Sequence, residues 1–563
     1  MQIAKLTPFL SLIIAAGCAN QSPGHGEASG ESDQNLIGSG PFGTSPVPSA
    51  NPKLVGASSP DVLPPELIQT PVAMGSTVVE NPATVDLGDG ATFTIGHYGY
   101  VDDGPLLPAP GTNTEATKTE PDKNTYLTLA GQNGADPGYD YGTHFLYQGH
   151  ENGAASAATL GGKGSSITRV NLDADGPHRV TIMATKDSDG KPLPVFDGST
   201  WDPFAQRLLF SAENGNQGGL WQATLGFPSF VQGLAGSLGN AAYEGIQNDS
   251  AGNVWLVEDS GGAAPTGRAK LPNSFIYRFV PKRSDDLRFG KLQALQVLSL
   301  QGGAPIAFQS TDALSQDIAD LHSYGNAFDT KWVTLHDTDV NGSMPFDANA
   351  LAKAKLATPF KRPENGQFRP GVGFKEFYFS ETGDTDQRTI ADAAHGGFGG
   401  IQKLTQTSPS ANQGKLTLFY QSDIDHSSFD NCSFLTKDVV VFVQDAGDTL
   451  HEQINQLDSA FAFNVTLDYS NPANQPARLL AEGRDASATL DSGFLGSTGF
   501  QNEGDNEITG WHTSNGDPTA AGILGAGVPK PFSGGWRTFY TQQHGDNVTW
   551  EILKNPTGLP FLP

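Results

Sequence analysis

Short apolar or aromatic runs recur along this chain, and each breaks off into a polar cluster. "FLYQGHENG" ends in His150, Glu151 and Asn152, and "LLFSAENG" ends in Glu213 and Asn214. "VWLVEDSGG" ends in Glu258 and Asp259, and "FYFSETGD" in Glu381 and Asp384. "VVFVQDAGD" ends in Asp445 and Asp448, and "FYTQQHGDN" in His544, Asp546 and Asn547. β-Branched and aromatic residues followed directly by turn residues predict strands, each with a polar group at its end. The six units are unevenly spaced, so they read as divergent repeats. Repeated strands, Gly-rich turns and little helix predict an all-β fold. A long repeat of this kind predicts a six-bladed β-propeller with inserted short helices and loops. About 490 residues over six units is roughly 80 per blade, well above the ~40–45 of common propeller repeats. The excess is expected in insertions, and "DALSQDIADLHSYGNAF", "PFDANALAKAKLATPF" and "AGDTLHEQINQLDSAF" read as short helices within them.

In a propeller, equivalent strand ends converge on the central axis, so acids far apart in sequence meet in one pocket. That much negative charge does not gather without compensation. Hard divalent cations with oxygen ligands are the natural partners, and calcium takes six to eight such ligands. Taken singly, any one of these acids could instead cap a turn or face solvent. The repetition at the same point of each unit of an acid, or of a His followed by an Asp, favours the cation reading.

Composition changes this picture in two places. The 68 Gly and 38 Pro among 563 residues are what a fold of many turns and few long helices needs. The formal charge of −27 argues against nucleic acid as a partner, because phosphate would be repelled, and suits a protein that takes up cations. Part of that charge serves solubility.

The N-terminus, "MQIAKLTPFLSLIIAAGCANQS", has one Lys, an apolar stretch and small residues before a Cys. The stretch is too short to span a membrane and reads as an export signal. "AAGC" resembles the lipobox of bacterial lipoproteins, which makes Cys18 the expected lipidation site. Ala19 is not the Asp that often retains lipoproteins in the inner membrane, so an exported, outer-membrane-anchored protein is expected, held by lipid only. With Cys18 so used, Cys432 has no disulfide partner. The expected organisation is a signal peptide over 1–18, a Gly/Ser/Pro-rich tether over 19–65 and one propeller domain over 66–563.

Ordered motifs resemble a known family. "GHEN" at 149–152, "DGSTWDPFAQRLLFSAENG" at 197–215 and "YEGIQNDSAGNVWLVEDS" at 243–260 are the first three. "SFIYRFVPKRSDDLRFGKLQAL", "KRPENGQF", "FDNCSF" with "VVVFVQDAGD", and "NEITGWHTSNGD" with "FYTQQHGDN" complete the series. In this order they resemble the PhoX-type alkaline phosphatases. The resemblance implies a metal-dependent hydrolase of phosphate monoesters, with a small-molecule phosphate ester as substrate and calcium and iron in the channel. Carried over motif by motif, it implies Glu244 and Glu364 as central metal ligands. Glu151, Glu213, Glu258, Asp259, Asp430, Asp445 and Glu507 would complete the metal cluster, and His150 and His544 would stand beside them. Arg362 would grip the phosphate, as an Arg fork suits a phosphate dianion. A channel ion pair with Glu364 is the alternative reading of Arg362.

This chain departs from the family pattern where the family supplies a thiolate to iron. Ser211 and Ala212 precede Glu213 there, and Cys432 lies in a different motif. The twin-arginine signal of the family is absent too. Both departures point to a calcium site built on oxygen ligands, with iron left in doubt. Two other readings stay open: a non-catalytic calcium-stabilised propeller that binds a ligand or partner, and a phosphodiesterase or lactonase-like hydrolase on the same platform.

Overall fold

A computed structural model describes residues 61–86, 92–106, 116–151, 163–454, 457–482, 507–543 and 547–557, together with Val47. Cys18 and His544 lie outside the described residues. The fold is all-β, with a β-propeller-like arrangement of antiparallel meanders.

The strands follow from their sequences. Val439–Gln444 reads VVVFVQ and is buried at every position, as expected of a strand covered on both faces. Its partner Ser459–Asn464 is equally buried, and the register sets Val440 against Phe463 and Phe442 against Phe461. Phe442 meets Phe463 edge-on at 5.8 Å. Each such buried ring contributes about 2–3 kcal/mol by leaving water.

One four-stranded meander comprises Thr125–Thr128, His144–Gly149, Ile167–Asn171 and Val180–Ala184. A second comprises Ser199–Asp202, Arg207–Ala212, Gly219–Ala223 and Val231–Gly233. A third comprises Phe429–Phe434, Val439–Gln444, Ser459–Asn464 and Ala477–Ala481. In the fourth four-stranded sheet, Glu507–Ser514, Arg537–Gln543 and Val548–Lys554 are completed by Leu67–Ala73 from the other end of the chain. That pairing, Leu67 opposite Lys554 through Ala73 opposite Thr549, ties the two ends together.

The largest sheet has nine strands. Tyr243–Asn248, Val254–Glu258, Ile276–Arg283 and Asp286–Val297 form one meander within it. Gly366–Phe368, Glu376–Glu381, Gly400–Gln406 and Gln413–Gln421 form another, and Phe328–Asp337 bridges the two. Trp255 and Trp332 meet edge-on at 5.0 Å across this sheet, and Trp255 Nε1 donates to Asp249 Oδ2 at 2.9 Å.

The first strand of each meander lies beside the first strand of the next. The succession runs from Thr125–Thr128 through Ser199–Asp202, Tyr243–Asn248, Gly366–Phe368, Phe429–Phe434 and Glu507–Ser514, then back to Thr125–Thr128. Two glycines permit this close approach. A Cβ on Gly198 would stand 1.9 Å from the Glu244 carbonyl oxygen, and one on Gly245 would stand 2.8 Å from that of Glu364. Either position demands the missing side chain.

The three segments expected to be helical each hold a short helix, at Gln316–Leu321, Ala348–Ala354 and Gly447–Ile454. Ser315 and Asp347 cap the first two, accepting from Ile318 N–H and Ala350 N–H. Among the described residues no helix is long and apolar enough to cross a membrane. The chain pairs with the body slightly before the expected tether boundary, since Val62 exchanges both backbone hydrogen bonds with Ala481.

Candidate metal and oxyanion site

Carboxylates from distant parts of the chain meet at the ends of the first and second strands. Asp122, Glu151, Asp197, Glu213, Glu244, Asp259, Glu364, Asp430, Asp445 and Glu507, with the single guanidinium of Arg362, line one cavity of about 290 Å³ of empty space. Asp122, Asp197 and Glu364 come just before a first strand, while Glu244, Asp430 and Glu507 lie on one. Glu151, Glu213, Asp259 and Asp445 come just after a second strand.

The closest carboxylates form three overlapping trios. Asp122, Glu151 and Asp197 make one, Asp197, Glu213 and Glu244 the next, and Glu244, Glu364 and Asp430 the third. Within each trio one oxygen per residue lies within 4.8 Å of the others, a spacing at which a single cation can be shared. Asp197 and Glu244 each belong to two trios, so they join the three positions in a row.

Electrostatics define what this array needs. Burial, and then the charge of neighbouring carboxylates, pushes Asp122, Asp197, Glu213 and Glu244 well above the usual carboxylate range. Burial does the same to Glu364 although Arg362 pulls the other way. Lys123 is buried below the cluster, and burial lowers its pKa. Its ammonium donates to Asn431 Oδ1 at 2.7 Å and to the Trp511 carbonyl at 3.2 Å. Asn431 in turn donates to both oxygens of Asp430 at 2.9 and 2.8 Å.

The donor set fits cations well. Asp197 Oδ1 is buried with no hydrogen-bond partner among the described residues, and such a carboxylate oxygen is costly unless something positive meets it. Every donor in the trios is a carboxylate oxygen, the ligand type of hard cations. No thiolate joins them. Cys432 lies in an aromatic core cluster, and burial pushes its thiol up to about 12. Ser211, at the family's thiolate position, turns its hydroxyl to backbone, donating to the carbonyls of Gly198 and Glu244.

Arg362 is the cation at the edge of the array. Burial works against its charge, but Asp259 and then Glu364 hold it firmly protonated. Its Nη2 lies 2.7 Å from Asp259 and 2.9 Å from Glu364. The ion pair with Glu364 that the sequence left open as an alternative is therefore present, beside a tighter one to Asp259.

Two of the expected site residues point elsewhere, and strand alternation explains both. His150 directly precedes Glu151, and Glu258 directly precedes Asp259. Successive strand residues face opposite ways, so Glu151 and Asp259 reach the cavity and their predecessors do not. His150 is buried, with its ring nitrogens 2.9 Å from Thr119 Oγ1 and 2.8 Å from Thr168 Oγ1, and burial lowers it to about 3. Glu258 is buried in the core, accepting from Tyr277 Oη at 2.7 Å, Phe275 N–H at 3.1 Å and Asn349 Nδ2 at 2.8 Å. Burial lifts it to about 7 despite these bonds.

Glu381 repeats the pattern in the next meander. It accepts from Lys361 N–H at 2.9 Å and Gln402 Nε2 at 2.8 Å, and the following residue is Thr382, where four other units have Glu151, Glu213, Asp259 and Asp445. Asp122 and Asp197 were not singled out from the sequence, because they precede the first strands and not the conspicuous second ones. For Asp197 the sequence holds a signal, an acid followed by Gly or Asn at a strand start: Asp197–Gly198, Glu244–Gly245, Glu364–Asn365 and Asp430–Asn431; Asp122, followed by Lys123, lacks it.

No sequence-family profile matches the chain, and no curated protein is similar to it in sequence. Solved structures are similar in fold. PhoX of Pseudomonas fluorescens, solved in complex with vanadate as a transition state analogue, superposes with a TM-score of 0.53 at 12% identity, covering 93% of this chain and 99% of that one. XC5397 of Xanthomonas campestris, described as a gluconolactonase, gives a TM-score of 0.34 at 10% identity over 89% of this chain and 98% of that one.

Proposed function

We propose that this protein is a cation-dependent phosphomonoesterase on a six-bladed propeller, with calcium as its working cation. One observation carries the reading: ten carboxylates and a single arginine converge on one cavity, where acids outnumber fixed cations and a multiply charged oxyanion has one fork to meet. The six-bladed count takes the nine-stranded sheet as two blades joined by Phe328–Asp337. The ring of first strands supports that count, and so does the place of the six apolar runs, each of them the second strand of its meander.

Bound cations would supply Lewis-acid stabilisation of charge developing on a phosphoryl group. The chain's own residues do the rest. Asp197 and Glu244, shared between trios, would each serve two neighbouring cation positions, and Glu151, Glu213, Asp122, Glu364 and Asp430 would supply the other carboxylate oxygens. Arg362 presents N–H donors to the nonbridging oxygens of a phosphate ester. The all-oxygen donor set and the protonated, buried Cys432 favour a hard divalent cation over thiolate-bound iron. The fold likeness to PhoX, which binds vanadate, supports an oxyanion at this cavity. We place the protein outside the inner membrane, exported and anchored through Cys18 by lipid only, where calcium is plentiful, and its acidity argues against a nucleic-acid partner.

The test is hydrolysis of p-nitrophenyl phosphate by the chain from about Val62 onward, with calcium and after chelation, with Arg362→Ala beside it. Activity that requires both calcium and Arg362 is the expected result. A folded, calcium-binding protein that cleaves no phosphomonoester would overturn the reading in favour of a binding propeller.

A further inference from the structure

Asp259 differs from the other carboxylates of the cavity. Like Asp445 and Glu507 it belongs to none of the three trios, but it alone among the ten has both oxygens on the guanidinium of Arg362. Arg362 Nε lies 3.1 Å from Oδ1 and 2.9 Å from Oδ2, and Nη2 lies 2.7 Å from Oδ2. The Asp259 side chain is only 3% exposed, and its backbone N–H donates to the Ala242 carbonyl at 2.9 Å. The carboxylate is therefore fixed to the segment that leads into Glu244.

The third guanidinium nitrogen has a different partner. Arg362 Nη1 donates to Thr385 Oγ1 at 3.0 Å. Thr385 has a φ of 47° and Arg362 a φ of 51°, left-handed values that cost a non-glycine residue about 1–2 kcal/mol. Surrounding contacts hold both in place. Asp384, next to Thr385, is bound by Lys361 at 3.1 Å, and Lys361 is next to Arg362. The Arg362 carbonyl accepts from Thr382 N–H at 2.8 Å.

We propose that Asp259 is the main positioning residue of Arg362 and not a cation ligand, with Glu364 sharing Nη2 at 2.9 Å and Thr385 as an exchangeable support on Nη1. This rests on the reading of Arg362 as the oxyanion-binding group. A free arginine carries large rotamer entropy, and a guanidinium already clamped by a carboxylate loses less on binding a ligand. Thr385 offers only a neutral hydroxyl to Nη1. A phosphate oxygen makes a charge-assisted bond roughly twice as strong, so an arriving oxyanion displaces Thr385 while Asp259 keeps the fork in place.

The test compares the wild type with Asp259→Asn and Thr385→Val, purified with calcium. Calcium per chain is measured by elemental mass spectrometry, inorganic phosphate binding by calorimetry, and kcat and KM with p-nitrophenyl phosphate. Asp259→Asn is expected to keep the full calcium content, to weaken phosphate binding and to raise KM by about tenfold, as losing one charged contact does. Thr385→Val is expected to change KM by about threefold or less with kcat unchanged, the size of a neutral hydrogen bond. Loss of calcium from Asp259→Asn would overturn the proposal and make Asp259 a ligand. So would full calcium with unaltered phosphate affinity.

Should Asp259→Asn fail to fold, the double variant Asp259→Asn/Arg362→Ala decides when set beside Arg362→Ala alone, since both lack the Nη2 contact to Glu364 and they differ only in the charge at position 259. Calcium retained there supports the proposal, and calcium lost overturns it. A wild type that ignores phosphate and cleaves no ester refutes the function proposed above. The calcium content of Asp259→Asn still separates support from ligand in that case.

Discussion

Lys361 and Arg362 are neighbours in sequence but serve two differently built charge clusters. Lys361 Nζ lies 3.1 Å from Asp384 and also binds Asp392. Around that pair, Lys270 lies 3.3 Å from Asp386, which Arg388 binds as well. Three aspartates there meet three basic side chains. Arg362 faces the cavity, where it is one cation among ten carboxylates. A balanced buried cluster closes on itself and holds the chain in place. An unbalanced one, with its carboxyls pushed up by burial and by one another, is stable only with protons or cations from outside. The difference in balance marks the first cluster as structural and the second as a binding site.

That contrast is broken most severely at Lys361. Lys361→Met leaves Asp384 and Asp392 buried without their cation and is expected to cost about 3–5 kcal/mol, as breaking a buried pair does. Chemical denaturation with and without calcium checks it, since calcium is not expected to restore the loss. The cavity should behave in the opposite way. Calcium at a thousandfold excess over its Kd is expected to add about 4 kcal/mol to the stability of the wild type, and chelation should remove it reversibly, read as a shift in the unfolding midpoint.

Glu258 sharpens the comparison through pH. Its folded pKa of about 7 lies above the 4.5 of an ordinary glutamate, so the folded state holds that proton more tightly than the unfolded chain does. Its contribution is fully present below about pH 4.5 and is lost as pH rises through 7. Glu258→Gln keeps a neutral amide there. The wild type is therefore expected to lose roughly 2.5 kcal/mol more than the variant between pH 5 and 8, measured by urea unfolding at each pH.

The smallest effect separates shared from unshared ligands. Asp197→Asn touches two trios and Glu213→Gln only one. Asp197→Asn is expected to weaken calcium binding by about tenfold more, because affinity follows the charge count at each site. Calorimetric titration with calcium reads the difference.

Much of this was legible in the sequence. Each of the six apolar runs is the second strand of a meander, and the acids behind them that reach the cavity include Glu151, Glu213, Asp259 and Asp445. A strand's period of two leaves the parity of its last residue open when a run ends in two polar residues. The family resemblance therefore marks His150 and Glu258 as expected site residues, although both are buried away from the cavity lining. Asp122 and Asp197 escaped for a different reason. The first strands that follow them are short and mix polar with apolar residues, as "TYLT" and "STWD" do, so no apolar run announces them. The buried counter-cation Lys123 left no sequence signal, since its role depends on Asn431 and Trp511, which lie more than 300 residues away.

The central claim is that the acidic cavity gathers several cations at once. Elemental mass spectrometry on protein desalted from calcium, for the wild type and Glu244→Gln, tests it most directly. The account predicts more than one calcium per wild-type chain and fewer in Glu244→Gln, because that residue joins two of the trios. A wild type that holds no calcium, or a Glu244→Gln variant with the same content, would contradict it.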